Sequence, residues 1–147
     1  MKIKPLLVSL SVAAALTPYA QAQVTIDIHV YDFDFGTAGH VASDPTIHPG
    51  DTVHWIWDAS NHSTTSAAGQ AESWNSGIQP AGSTFDHTFT QLGTFEYYCL
   101  IHGADLGGGQ VSGMSGSITV APVPEPGAWG LVAGSMLLGY SALRKRR

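Results

Sequence analysis

From Gln23 onward the chain alternates apolar and polar residues with period two. Ile26, Ile28 and Val30 are interleaved with Asp27, His29 and Tyr31, which predicts a strand with one buried face. After the turn signal Pro49-Gly50-Asp51, Val53, Trp55 and Trp57 share one face, and His54, Ile56 and Asp58 share the other. Phe85, His87 and Phe89 alternate in the same way. Leu92-Gly93 breaks that run, Phe95, Tyr97 and Cys99 form the inward row of the next strand, and Gly116 to Val120 closes the pattern. No stretch of useful length has helical periodicity. Short strands punctuated by Gly, Pro, Asn and Asp over about 100 residues predict an all-β antiparallel sandwich. Trp55 and Trp57 are assigned to the core, and His29, His40, His48, His54 and His87 to surface or packing roles. Glu72 and Trp74 fall in a polar loop that the pattern does not place.

The two ends are of a different kind. Lys2 and Lys4, the apolar run Leu6 to Leu16 and Ala20-Gln21-Ala22 have the order of a secretory signal with an A-x-A cleavage site. Residues 1–22 are therefore expected to be removed, leaving a mature chain that starts at Gln23 outside the cytoplasm. At the other end stand Val123-Pro124-Glu125-Pro126, the apolar stretch Ala128 to Leu143, and Arg144-Lys145-Arg146-Arg147. As a helix this apolar stretch rises only about 24 Å, short of a ~30 Å hydrocarbon core. Residues 122–147 resemble the PEP-CTERM sorting signal of Gram-negative bacteria. That resemblance implies transient residence in the inner membrane and processing by an exosortase. What remains, residues 23–121, is one small domain.

Charge divides along the same boundaries. All six Lys and Arg lie in the two end segments, whereas ten of the eleven acids lie between Gln23 and Ala121. A domain without Lys or Arg cannot neutralise phosphates, so nucleic acid and anionic membrane surfaces are excluded as partners. Its field favours a cationic protein instead. The length excludes a two-domain enzyme, and a single Cys excludes an internal disulfide.

The residues with distinctive chemistry are His62, Cys99, His102 and Met114. Two imidazoles, one thiolate and a thioether are the donor set of a mononuclear copper electron-transfer site. On spacing alone a Cys-x-x-His pair is equally compatible with a buried apolar cysteine, although oxidising compartments usually eliminate unpaired thiols. No Ser/His/Asp order or paired-carboxylate spacing points to catalysis.

Val53-His54-Trp55-Ile56-Trp57 with Asn61-His62-Ser63, Gly93 through His102, and Met114-Ser115-Gly116-Ser117-Ile118-Thr119-Val120 together resemble a plastocyanin-type cupredoxin. The resemblance implies an all-β antiparallel Greek-key β-sandwich holding one type 1 copper ion. His62, Cys99 and His102 would be equatorial ligands and Met114 the weak axial one. Eleven residues, Gly103 to Gly113, separate His102 from Met114, where the plastocyanin pattern has four. The extra residues are expected to bulge outward as a Gly-rich surface loop while strand register keeps Met114 over the metal. The alternative is a backbone oxygen, or nothing, at the axial position.

The function expected from these readings is one-electron transport by an exported protein in the periplasm, at the cell surface or outside the cell, with a cationic redox partner. Copper capture or buffering, and a structural role in the extracellular matrix, are the other two readings.

Overall fold

The computed structural model describes residues 22–124. The expected signal (except Ala22) and the sorting segment beyond Pro124 lie outside the described residues. Among the described residues nine strands follow one another: β1 (Thr25–Tyr31), β2 (Asp34–Thr37), β3 (Val41–Ala42), β4 (Thr46–Ile47), β5 (Thr52–Trp57), β6 (Thr65–Ser66), β7 (Thr84–Thr88), β8 (Gly93–Gly107) and β9 (Gln110–Val120). Among the described residues no helix is long and apolar enough to cross a membrane.

The strands form two sheets, ordered β3-β2-β1-β5-β7 and β4-β9-β8-β6. The inner faces carry the residues that the alternation selects. Ile28, Val30, Val53, Trp55 and Trp57 from the first sheet meet Phe95, Tyr97, Cys99, Ile118 and Val120 from the second, all of them buried. Truncating one of these tryptophans to Ala would cost about 3–5 kcal/mol. Trp74 and Glu72, which the pattern left unplaced, are also buried. Trp74 stacks on Trp55 at 5.8 Å between ring centroids, so the segment between β6 and β7 closes the core rather than looping over solvent.

Two expectations need correction. The sheets are mixed, not antiparallel: β1 runs parallel to β5 from Thr25↔Thr52 to Val30↔Trp57, and β4 runs parallel to β9. Alternation has the same period in both orientations, so it carries no information about strand direction. Gly103 to Gly113 is also not an outward loop. It continues β8 and β9 as a two-stranded ribbon, with Gly103 opposite Gly113, Ala104 opposite Ser112 and Asp105 opposite Val111. Gly107, Gly108 and Gly109 turn it with positive φ throughout. The glycines that looked like loop composition are the hairpin turn and a close cross-strand pair.

Candidate metal centre

His62, Cys99 and His102 come from two separate stretches of chain. His62 follows β5 and is held by its own backbone. Its carbonyl accepts hydrogen bonds from Gln79 N at 2.8 Å and Trp57 Nε1 at 2.9 Å, and the preceding Asn61 has a φ of 65°. Ser63 then joins the two stretches, because its Oγ accepts a hydrogen bond from Leu100 N at 2.9 Å. Cys99 continues the inward row of Phe95 and Tyr97 on β8, which places its thiol in the core.

The ladder between β8 and β9 explains how Cys99 and His102 face the same point. Tyr98 pairs with Ser115 and Gly103 with Gly113, so Cys99 to His102 on β8 oppose Met114 alone on β9. A bulge of this size bends the strand and re-aims its side chains. It turns a Cys-x-x-His spacing, which in a regular strand would place the two residues on opposite faces, into a convergent pair. The bulge is pinned at close quarters: a Cβ on Gly103 would lie 2.7 Å from the Met114 carbonyl oxygen.

The donor atoms are close together. His62 Nδ1 and His102 Nδ1 are 3.1 Å apart, and Cys99 Sγ lies 3.8 Å from the first and 3.6 Å from the second. The circle through three atoms with these separations has a radius of about 2.0 Å, within a few tenths of an ångström of ordinary metal–nitrogen and metal–sulfur bond lengths. One ion near the plane of the three atoms therefore fits after shifts of a few tenths of an ångström. His62 and Cys99 are 1% and 0% exposed, and His102 is half-buried. The site is closed on the protein side and reaches solvent through the His102 ring. Among the described residues this is the only group of three or more His, Cys, Asp or Glu residues close enough to hold one metal ion.

No family model matches the chain, and no curated protein does. Solved structures do. The reduced state of an amicyanin mutant aligns at 22% identity with a TM-score of 0.51, covering 66% of this chain and 82% of that one. Amicyanin from Paracoccus versutus aligns at 15% identity with a TM-score of 0.50, covering 66% of this chain and 81% of that one. A Cu-containing nitrite reductase from Thermus scotoductus aligns at 21% identity with a TM-score of 0.52. It matches 78% of this chain, which spans only 25% of that protein. The chain has the cupredoxin fold.

On this cupredoxin framework the structure brings together three of the four residues singled out from the sequence. The fourth, Met114, is buried at 4% exposure on the inner face of β9, at the register position that spans the Cys99–His102 bulge. The remaining histidines lie elsewhere and pair with acids or aromatic rings: His29 with Asp58, His54 with Asp86, His48 with Asp51, His87 with Glu72, and His40 against Tyr31. Sequence reasoning missed Ser63 as the stitch between ligand segments. It also missed the turn between β1 and β2. Asp32 Oδ1 there lies 3.4 Å from His62 Nε2, and the Phe33 ring centroid is 4.6 Å from that of His102. These pairs are 30 and 69 positions apart in the chain, and no local pattern links them.

Proposed function

We propose that the chain is an exported type 1 copper protein that carries one electron at a time between larger redox proteins. The observation that carries this reading is the convergence of one thiol sulfur and two imidazole nitrogens on a single point about 2.0 Å from each. A thiolate and two imidazoles bind both Cu(I) and Cu(II), and a trigonal set with a long axial thioether defines the type 1 electron-transfer site. In this reading Met114 is the axial ligand, and its burial on β9 between the Ser115 and Gly113 register positions supports that role. The rigid sandwich limits rearrangement between oxidation states.

The protein binds metal and moves electrons, and converts no substrate. Electrons pass through the half-buried edge of His102, with exposed Leu100 and Ile101 beside it in the chain. The partner has a cationic surface, matching a domain whose acids have no Lys or Arg to offset them. Residues 1–22 direct export, and 122–147 hold the chain at the inner membrane until an exosortase-type enzyme removes them, leaving the domain in the periplasm or at the cell surface.

Optical and electrochemical measurements on the copper-loaded protein test the reading. The wild type should bind one copper per chain, show an intense visible thiolate-to-Cu(II) band and undergo reversible one-electron reduction. Cys99→Ser should lose the band, because a serine oxygen lacks the covalency of the copper–thiolate bond. A Cys99→Ser variant that keeps the band refutes the ligand set. Tight Cu(I) binding with no reversible couple would instead indicate buffering.

A further inference from the structure

We propose that the two-residue turn Asp32-Phe33 between β1 and β2 is a clasp that holds both imidazoles of the centre in metal-binding orientation. Asp32 accepts a hydrogen bond from His62 Nε2, and Phe33 packs edge-on against His102. The inference rests on the copper reading above and concerns residues that contact the ligands without being ligands.

His62 and His102 both present Nδ1 to the centre, so each must carry its ring proton on Nε2 when it binds metal. A neutral imidazole donates from one nitrogen and accepts at the other, and the hydrogen bond made by the far nitrogen decides which does which. For His62 that bond goes to a carboxylate. Asp32 Oδ1 is 3.4 Å from Nε2, at the long end of hydrogen bonding. A cation on Nδ1 polarises the ring and strengthens this donor. The His62 side chain is 2% exposed and that of Asp32 is 78% exposed, so the carboxylate keeps its hydration while fixing the tautomer of a buried ring.

Phe33 provides the independent observation. Its φ of 64° lies in the left-handed region, which bulky residues rarely occupy, and its side chain is left in solvent at 67% exposure. Both features oppose its local preference. What the conformation achieves is contact with the two imidazoles: the Phe33 ring is T-shaped to His102 at 4.6 Å and to His62 at 6.2 Å. The turn is held at its base by the Tyr31↔Asp34 pair and by Tyr31 Oη, which donates to Thr37 O at 3.0 Å. Both flanks of the turn are thus tied into the sheet. Asp32 and Phe33 are neighbours, so one turn reaches a ligand from each half of the centre.

The experiment uses the full-length chain, as wild type and as Asp32→Ala, Asp32→Asn and Phe33→Gly, loaded with copper. Affinity is measured by chelator competition, release by stopped flow, and the reduction potential by voltammetry. The His62 Nε2 proton is followed by NMR in the Cu(I) form. Asp32→Ala should weaken metal binding roughly tenfold, the low end for a carboxylate behind a ligating histidine, and speed exchange of that proton. Asp32→Asn keeps an acceptor oxygen, so it should recover most of the affinity while raising the potential, because the negative charge favouring Cu(II) is gone. Phe33→Gly removes both ring and strain, so it should fold at least as well as the wild type yet release copper several-fold faster. Wild-type loading with affinity, potential and release unchanged in all three variants would overturn the clasp alone. A wild type that takes up no copper would overturn the clasp and the copper reading together.

Discussion

Replacing Gly113 by Ala should damage the centre although residue 113 donates nothing to it. Gly113 has a φ of +75°, and Gly108, at the ribbon tip, has a φ of +63°. A side chain in this conformation costs about 1–2 kcal/mol at either position. The two differ in what a Cβ would meet. At Gly108 nothing lies within 4 Å, whereas at Gly113 the Cβ would be 2.5 Å from the His102 carbonyl oxygen and 3.0 Å from Gly103 Cα. Ordinary contact begins near 3.4 Å, so the His102 backbone must retreat by most of an ångström. Metal–ligand distances tolerate about 0.2 Å. Overpacking of this kind adds about 1–3 kcal/mol, and in a domain of about 100 residues each kcal/mol moves Tm by about 4–8 °C. Thermal melts of apo and copper-loaded protein compare the two variants directly. Gly113→Ala should melt roughly 5–20 °C below Gly108→Ala and gain little on loading, whereas Gly108→Ala should gain as much as the wild type. Equal melting and equal loading would refute the claim that the Gly103–Gly113 pair positions His102.

Other consequences can be measured separately. Met114→Leu, nearly volume-conserving at a buried position, should leave the colour and raise the reduction potential as a weak thioether ligand is lost; an unchanged spectrum and potential would remove Met114 from the ligand set. Burial by itself pushes the Glu72 carboxyl up, but hydrogen bonds from Thr90 N and Gln91 N, then the Thr90 hydroxyl and His87, outweigh it and hold the group below its ordinary value of 4.5. Its contribution is therefore complete above about pH 4.5 and lost as pH falls through the lower folded-state value. Glu72→Gln should cost about 1–3 kcal/mol in denaturant melts at neutral pH, and the gap should shrink below pH 4.5; a gap that stays constant with pH would contradict this. The stopped-flow electron-transfer rate with a cationic partner should fall as salt rises, and a flat rate would dismiss electrostatic steering.

The period-two rows at Ile28, Trp55, Tyr97 and Ile118 made the core legible, because an inward face depends only on alternation. Strand direction was not legible: Ile28 and Trp55 have the same pattern whether β1 and β5 run parallel or antiparallel. The ribbon was hidden for another reason. Gly107, Gly108 and Gly109 signal a turn, but the pairing of Gly103 with Gly113 is a steric fact about two backbones, and composition alone makes it look like loop. For the centre, donor chemistry singled out His62, Cys99 and His102. Their convergence depends on a bulge that no spacing rule describes. Asp32 and Phe33 were invisible because the period-two pattern marks no turn there and their partners His62 and His102 lie 30 and 69 positions away.

The ribbon and bulge also bear on the order in which the centre is assembled. Cys99 and His102 are three residues apart and remain neighbours in an unfolded chain, whereas His62 lies 37 positions before Cys99. A short-range pair forms quickly, and a long-range contact must first overcome loop-closure entropy. An unfolded chain therefore already keeps two of the three donors within a few residues of each other, and the third arrives only when β6 zips onto β8. A metal captured early by the local pair stabilises the unfolded ensemble as well as the native state, which reduces the net stabilisation that the bound ion would confer. The ion's full affinity becomes available only after the sandwich has closed, so tight binding reports completed folding.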